Sequence, residues 1–171
     1  IGVLASVGRD RASVLRRPIV AVLSTGDELL LPGQPPNSGK IYDANSFGIA
    51  SAVQRYGGIP KLLGIARDNF QDTSLKLEEG LSADLLITSA GVSKGDYDFV
   101  KDVLMQCGEI AFWSVRMRPA RPLAFGTLHA PDGRQVPHIG LPGNPVSALV
   151  AFEQFCRPAI LKMLGRTNFT K

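Results

Sequence analysis

The segment that says most about the architecture of this chain is Pro18-Ile19-Val20-Ala21-Val22-Leu23, followed directly by Ser24-Thr25-Gly26-Asp27. Its first part is a continuous run of apolar residues, many of them β-branched, with no polar alternation. Such a run is typical of a strand that is covered on both faces. The glycine and the small polar residues then end the strand. We therefore predict a buried central strand of a parallel sheet, with a turn at its carboxyl end.

Strand-like and helix-like segments alternate along the chain beyond this strand. Strand-like segments lie at residues 61–66, 84–88 and 110–113, and helix-like segments around residues 47–56, 75–81 and 99–105 separate them. This alternation is the pattern of βα units that build a mainly parallel sheet. Asp72 is the expected N-cap of the second helix, and Phe112 and Trp113 are expected to pack in or beside the core.

The last third of the chain has a different pattern. Strand-like segments at residues 123–128 and 136–141 flank Pro131-Asp132-Gly133, and an Asp-Gly pair in this position is a hairpin signal. A helix through residues 148–156 follows, and Pro158 predicts a kink or a break after it, before Ile160 and Leu164. The predicted fold class is α/β: a three-layer α/β/α sandwich with a mainly parallel sheet and an antiparallel edge.

Composition is that of a globular domain with one core. The chain has 171 residues, 44% of them hydrophobic, which is too few for two ordinary cores. Cys107 and Cys156 are too few for a disulfide framework or a zinc site, so a reduced, cytoplasmic setting is expected. The apolar start, residues 1–8, has no basic leader and is shorter than the roughly twenty residues of a membrane helix. We expect neither a signal peptide nor a membrane partner.

The chain begins with Ile1 rather than Met, so we expect it to be a piece of a longer protein. We assign residues 1–16 to a linker or the remnant of a preceding domain, 17–165 to one α/β domain, and 166–171 to a linker toward a missing C-terminal domain. The net charge of +4 is spread along the chain rather than interleaved with aromatics. It indicates a solvated basic surface or a small anionic ligand, and no nucleic-acid partner.

Three loops predicted at carboxyl ends of strands are rich in glycine, serine and acidic residues, and ligands of open parallel sheets bind at this edge. Backbone N–H groups in such loops suit phosphate or another oxyanion. The alternative is that the loops contain only turns and helix caps, in which Asp96 or Asp98 caps one helix and Ser147 begins another. The candidate binding residues in the three loops are Thr25, Gly26, Asp27, Ser89, Gly91, Gly95, Asp98, Pro142, Gly143, Asn144 and Ser147.

Side chains add further chemistry to these loops. Ser93 and Ser147 offer hydroxyl donors, and Asp96 and Asp98 are candidate ligands of a hydrated Mg²⁺ that bridges phosphate oxygens. The two histidines, at positions 129 and 138, have no third ligand nearby, so we expect them to be exposed or hydrogen-bonded rather than bound to a metal.

Four segments occur here in a distinctive order and spacing: residues 24–29, 41–46, 89–98 and 140–148, read as STGDEL, IYDANS, SAGVSKGDYD and GLPGNPVSA. Together they resemble the molybdopterin molybdenumtransferase family, which includes the bacterial MoeA proteins and the E domains of homologues such as gephyrin. The resemblance covers about Arg17 to Leu164. It implies a molybdopterin-binding, MogA-like α/β domain of an elongated multidomain homodimer. Such proteins take adenylylated molybdopterin and molybdate, cleave the adenylate in a Mg²⁺-dependent step with release of AMP, and form molybdenum cofactor.

The resemblance also implies roles for individual residues. The acidic residue of the family's Tyr-Asp-x-Asn segment falls on Asp43, and the serine and the acid of its Gly-Val-Ser-x-Gly-Asp loop fall on Ser93 and Asp96. These three are the catalytic candidates, with Mg²⁺ near Asp43 and Asp96. Arg121 and Ser147 are the candidates for contact with molybdate or phosphate.

The chain departs from the family pattern at two places. Pro119-Ala120-Arg121-Pro122 stands where the family usually reads Pro-Gly-Lys-Pro; Arg121 keeps the positive charge and offers a bidentate fork for an anion. Ala90 replaces a usual glycine, which demands either a negative φ or backbone strain.

Two other functions stay open from the sequence. One is adenylyl transfer to molybdopterin by a related domain of the same fold, whose members usually read Gly-Gly-Thr-Gly where this chain has Ala90-Gly91-Val92-Ser93. The other is a non-catalytic scaffold or competence-type module that retains only the fold. Because the family's cleft draws on neighbouring domains and the partner subunit, we expect this chain alone to bind ligand weakly and to turn over little or nothing.

Overall fold

The computed structural model describes residues 1–90 and 99–169, with the backbone alone for Phe99 and Phe112. A π-helical turn, Phe152–Cys156, separates its last two helices. The helices are α1 (Gly2–Ser6), α2 (Asn45–Arg55), α3 (Phe70–Gly80), α4 (Phe99–Cys107), α5 (Pro145–Ala151) and α6 (Arg157–Met163). The strands are β1 (Ile19–Thr25), β2 (Leu29–Leu30), β3 (Ile41–Tyr42), β4 (Ile59–Ala66), β5 (Leu85–Ser89), β6 (Gly108–Ser114), β7 (Pro122–His129) and β8 (Gln135–Leu141).

Six of the strands form one sheet in the order β4-β1-β5-β8-β7-β6. The first four are mutually parallel, whereas β7 runs antiparallel to both β8 and β6. The predicted hairpin and the mainly parallel sheet with an antiparallel edge are therefore confirmed. A separate parallel pair, β2 with β3, lies in the loop region that follows β1.

Helices cover both faces of the sheet, so the buried residues form two hydrophobic clusters, one on each face, rather than the single core expected from the chain length. Val20 and Val22 of β1 belong to the core that also contains Ile49 of α2 and Phe152 of the π-helical turn. Ala21 and Leu23 belong to the other core, with side chains of α3 and α4. All four β1 side chains are fully buried, which explains why β1 is apolar without alternation. The predicted three-layer sandwich is confirmed.

The predicted N-cap of α3 was wrong. The helix begins at Phe70, and its N-cap is Asn69, whose side chain accepts a 2.8 Å hydrogen bond from the backbone N–H of Asp72. Asn69 has the extended backbone that an N-cap requires, with φ −142° and ψ 154°. The Asp72 carboxylate instead accepts a 2.7 Å bond from the backbone N–H of Arg67, so it ties the end of β4 to the helix.

The expectation that Trp113 packs in or beside the core was also wrong, because this residue is 60% exposed. Trp113 lies on the edge strand β6, opposite Leu123 of β7. The helices on the Leu123 face of the sheet include α2 and α5, and they pack mainly on β4, β1 and β8 rather than on β6. The side chain of Phe112 lies outside the described part of the structure. In the two described ranges no helix combines the length and apolar character that a membrane crossing requires.

The end of the sheet opposite the predicted ligand edge is held by a charged pair. Arg16 donates hydrogen bonds of 2.6 and 2.5 Å to the two oxygens of Asp84, and Ile19 N–H donates a third at 2.7 Å. The hydrogen bond from Arg16 is the main cause that lowers the pKa of Asp84. Arg16 therefore contacts the domain, although the sequence assigned it to the preceding linker.

Candidate functional site

The parallel strands have their topological switch point between β1 and β5, because the chain leaves β1 toward β4 on one side and returns to β5 on the other. Ligands of such sheets bind at the carboxyl ends of the strands beside this point. Here the two carboxyl ends are Thr25 and Ser89, and both residues are buried. The Thr25 hydroxyl donates to the Ser89 carbonyl oxygen at 3.4 Å, so two predicted site residues lie in contact.

The antiparallel edge brings a further loop to the same rim. Because β7 runs opposite to β8, it begins at Pro122 near the point where β8 ends. Ser114, the last residue of β6, pairs with Pro122. The connection between Ser114 and Pro122, which contains Arg121, therefore lies at the carboxyl edge of the sheet together with the glycine-rich turns.

Asp43 lies at this rim, but its carboxylate is turned into the protein and is only 2% exposed. Its Oδ1 accepts hydrogen bonds from the Ser24 hydroxyl at 3.0 Å and from the Ser46 backbone N–H at 3.1 Å. Its Oδ2 accepts one from the Ser46 hydroxyl at 2.5 Å. Asp43 thus caps the start of α2 and ties that helix to the end of β1.

This geometry does not fit the Mg²⁺ site that the sequence suggested for Asp43. Asp43 is buried and already accepts three hydrogen bonds from protein donors, whereas Mg²⁺ takes carboxylates that are open to it and to its water ligands. Within residues 1–90 and 99–169, no group of three or more His, Cys, Asp or Glu side chains is placed to hold a metal.

Asn45, which the sequence marked only as part of a helix start and a motif, joins two of the predicted loops. Its Nδ2 donates to the Ser89 hydroxyl oxygen at 2.6 Å and to the Gly143 carbonyl oxygen at 2.7 Å. A carbonyl only accepts hydrogen bonds, so the contact with Gly143 fixes which end of the amide is the nitrogen. The Asn45 Oδ1 is buried and has no hydrogen-bond partner within the described part of the chain. Leaving such an acceptor unpaired costs about 1–3 kcal/mol.

The turn before α5 is built around a helix cap. Asn144 is the N-cap of α5, and its side chain accepts a 3.1 Å bond from the Ser147 backbone N–H. That amide is therefore already used by the protein, as the simple capping interpretation predicted. Pro142 before it is buried, whereas Gly143 and Asn144 are exposed. Ser147, half-buried, also borders the hollow described below.

Gly143 packs directly on Ala90, since a Cβ added to Gly143 would lie 3.4 Å from the Ala90 Cβ. Ala90 itself has φ +76°, a left-handed conformation that glycine adopts far more readily than alanine. The sequence predicted either a negative φ or backbone strain at Ala90, and the structure has the strained conformation. Ala120, the other alanine at a family glycine position, has φ +74°.

The turn after β1 is closed by reciprocal bonds. Asp27 N–H donates to the Asp68 carboxylate at 3.1 Å, and Asp68 N–H donates to the Asp27 carboxylate at 3.3 Å. Gly26 has φ +142° and donates its N–H to the Ala66 carbonyl at 3.1 Å. In this structure Gly26 and Asp27 hold the turn against the end of β4, and a ligand role for them stays a prediction.

The remaining sequence candidates lie outside the described residues. They are Gly91, Ser93, Gly95, Asp96 and Asp98. Their proposed catalytic, binding and metal roles stay predictions. The residues that flank this segment on its N-terminal side, Ser89 and Ala90, do lie at the rim beside Asn45 and Gly143.

A cationic hollow of about 770 Å³ lies at the rim beside these turns and is lined by residues 114–122 and Ser147. Its walls include three exposed arginines, Arg116, Arg118 and Arg121. Arg121 Nε donates to the Ser114 hydroxyl at 3.0 Å, and none of the three arginines forms an ion pair with a described residue. The sequence singled out Arg121 and Ser147. The positions of Arg116 and Arg118 follow only once the β6–β7 connection is known to lie at this edge.

Neither histidine belongs to the site. His129 is exposed, and His138 is buried on β8 with its Nε2 3.0 Å from the Thr88 hydroxyl. Burial lowers the pKa of His138 to about 3. The expectation that the histidines would be exposed or hydrogen-bonded is confirmed.

Residues 21–162 match the family model described as "Probable molybdopterin binding domain". The chain belongs to this family. The molybdopterin molybdenumtransferase of Nostoc sp. is 41% identical over 167 residues, which are 96% of this chain and 38% of that protein. The molybdopterin molybdenumtransferase of Haemophilus influenzae is 41% identical over 171 residues, which are 98% of this chain and 41% of that protein.

A comparison with solved structures finds a similar fold in a protein of the same biosynthesis. The molybdopterin biosynthesis MoeA protein from Pyrococcus horikosii superposes with a TM-score of 0.83 at 32% identity, over 98% of this chain and 40% of that one. The chain thus spans about two fifths of the length of the relatives it matches. The family resemblance read from the four sequence segments is confirmed.

Proposed function

We propose that this chain is the central domain of an enzyme of molybdenum cofactor biosynthesis, which inserts molybdate into adenylylated molybdopterin and releases AMP. The observation that carries the proposal is the rim itself. Turns from distant parts of the chain meet around Asn45, directly beside a hollow lined by three arginines. Two relatives at 41% identity carry the name molybdopterin molybdenumtransferase, which supports the same reaction.

The arginine hollow is the part of the rim that suits the anion. Molybdate and phosphate are tetrahedral oxyanions, and guanidinium groups bind such oxygens by charge-assisted, often bidentate hydrogen bonds. Arg116, Arg118 and Arg121 supply the positive charge, and the hydroxyls of Ser114 and Ser147 supply further donors. Fixed cations of this kind also stabilise charge that develops on the reacting oxygens.

The pterin and its nucleotide are placed along the turns, in contact with Gly143 and its neighbours. Gly143 and Asn144 are exposed at this rim, so their backbone N–H groups are the candidates for ligand contact, whereas the Gly143 carbonyl and the Asn144 side-chain oxygen already accept hydrogen bonds from the protein. Mg²⁺ remains part of the proposal only through the family resemblance, with Asp96 as the candidate ligand. Asp43 organises the start of α2 in this proposal and binds no metal.

The longer protein is proposed to act as a cytoplasmic homodimer, as the resemblance implies. The reduced setting is supported by the two cysteines, Cys107 and Cys156, which form no disulfide. In the homodimer we expect the neighbouring domains to complete the cleft, and the isolated 171-residue chain to bind ligand weakly.

Binding of the oxyanion is tested by calorimetric titration of the full-length protein with molybdate. The double variant Arg116→Gln/Arg118→Gln is compared with Arg9→Gln, which removes an exposed arginine from the N-terminal segment. We expect the double variant to lose about tenfold or more in affinity and the control to match the wild-type chain. Equal affinities in all three proteins would remove the hollow from the proposal.

The reaction is tested in the full-length protein with adenylylated molybdopterin, molybdate and Mg²⁺. Formation of molybdenum cofactor together with AMP supports the proposed activity. A second reaction mixture contains molybdopterin and an adenosine triphosphate donor, and formation of adenylylated molybdopterin with release of pyrophosphate would identify adenylyl transfer instead. Absence of both binding and turnover would identify a scaffold that retains only the fold.

A further inference from the structure

We infer that Asn45 is a positioning residue, whose side-chain amide fixes the turn before α5 against Ser89, the last residue of β5, in the geometry that the pterin nucleotide requires. This inference rests on the proposed function, because it concerns the same rim. It is carried by the contacts of Asn45 with Ser89 and Gly143, which lie 44 and 98 residues away in the chain.

The contacts of Asn45 serve other parts of the fold rather than its own helix. The start of α2 is already capped by Asp43, which accepts from the Ser46 backbone N–H. Both hydrogens of the Asn45 amide are given to other loops, one to Ser89 at 2.6 Å and one to Gly143 at 2.7 Å. The ends of β5 and β8 are already joined by the backbone bond from the Ala90 N–H to the Leu141 carbonyl, and Asn45 adds the start of α2 to this junction.

The direction of the hydrogen bonds has a consequence for Ser89. Because its hydroxyl oxygen accepts from Asn45, its own hydrogen points to a different acceptor, and among the residues that the structure describes none receives it. The hydroxyl hydrogen of Ser89 is therefore available to donate to a ligand. A donor beside the switch point suits a phosphate or pterin oxygen.

The side chain of Asn45 also carries an unpaired oxygen. Its Oδ1 is buried without a partner in the described ranges, so an asparagine at this position is not the best choice for stability alone. Gly143 meanwhile lies against the strained Ala90, so the two turns that Asn45 joins are in direct contact. Residues kept at a cost to stability concentrate where the geometry serves a ligand.

The decisive variant is Asn45→Asp, which keeps the size of the side chain. A carboxylate can still accept from the Ser89 hydroxyl, but it has no hydrogen for the Gly143 carbonyl and repels it. The matched control is Gln54→Glu, the same amide-to-acid change at an exposed position of the same helix. Both variants are made in the full-length protein and titrated with adenylylated molybdopterin, alongside thermal unfolding and amide hydrogen exchange of the turn at residues 142–147.

We expect Asn45→Asp to unfold within a few degrees of Gln54→Glu and to bind adenylylated molybdopterin about tenfold or more weakly. Its amide hydrogens at Gly143, Asn144, Val146 and Ser147 should exchange faster, since Pro142 and Pro145 in this turn have none. Equal affinity and equal exchange in the two variants would overturn the inference. If Asn45→Asp does not fold, Asn45→Ser is measured by the same criteria, and wild-type affinity in that variant overturns it as well.

The experiment separates this inference from the proposed function. If the wild-type protein does not bind adenylylated molybdopterin, the proposed function is wrong, whereas the exchange measurement still reports whether Asn45 holds the turn. If the wild-type protein binds and Asn45→Asp binds equally well, the proposed function stands and the positioning role is wrong.

Discussion

The hydroxyl of Thr88 lies 3.0 Å from Nε2 of His138, across the neighbouring strands β5 and β8, and both side chains are fully buried. The Nδ1 of His138 has no hydrogen-bond partner in the described part of the chain. With nothing to stabilise a charge there, burial lowers the pKa of His138 to about 3. The folded protein therefore holds this histidine neutral.

Acid should destabilise the domain through His138. Below the ordinary histidine pKa of 6.5 the unfolded chain binds a proton that the folded chain does not accept until about pH 3. Stability from this group is thus complete above pH 6.5 and falls by about 1.4 kcal/mol per pH unit below it, or about 2 kcal/mol at pH 5. Urea unfolding at pH 7 and pH 5 should show a smaller decrease for His138→Gln than for the exposed-site control His129→Gln. Identical decreases in the two variants would contradict this account.

Replacing Ala90 by glycine should stabilise the fold by about 1 kcal/mol, because it relieves the cost of a left-handed alanine. The control Ala52→Gly, inside α2, should instead destabilise by about 1 kcal/mol. Chemical denaturation of the two variants and the wild-type chain measures both changes. A loss of stability in Ala90→Gly would show that the alanine methyl group contributes more than its backbone conformation costs.

Asp43→Ala should destabilise the domain by about 2–4 kcal/mol, because it leaves the buried donors of Ser24 and Ser46 without their charged acceptor. Asp102→Ala, an exposed acidic position in the first turn of α4, is the control and should change stability by less than about 1 kcal/mol. Thermal or urea unfolding checks both values. Near-equal stability of the two variants would rule out the structural role assigned to Asp43.

Asn144→Ala should cost about 1 kcal/mol through loss of the α5 cap, whereas Asn144→Ser, which can cap in the same way, should cost little. Equilibrium unfolding of the two variants tests the cap. Both variants remove the amide group of Asn144, but only the serine variant keeps the cap. A ligand contact made through that amide would therefore appear as a loss of affinity in both variants, whatever their stability.

The architecture could be predicted from the sequence because its signals are local. The continuous apolar run of β1 and the Asp-Gly turn between β7 and β8 each report their own environment. The cap of α3 was misassigned because Asn69 and Asp72 are both good capping residues, and only the backbone conformation at position 69 selects between them.

The site could be predicted only in part, because its geometry depends on distant contacts. The sequence shows a carboxylate at position 43, but not that Ser24, 19 residues earlier, would donate to it and turn it inward. Arg116 and Arg118 carried no distinguishing signal of their own. Their placement depends on the reversal of the chain between β6 and β7, which brings them beside Ser147.

The π-helical turn between α5 and α6 sets how the last helical segment meets the sheet. Ala148, Phe152, Cys156 and Ile160 are all buried in one core and follow each other at intervals of four residues. In a regular α-helix three such steps would rotate the row by about 120°, which would carry Ile160 round toward solvent. The wider turn at Phe152–Cys156 takes up part of that rotation. Deleting one residue from this turn would therefore rotate Ile160 and the rest of α6 by about 100° around the helix axis, away from the core that they now fill.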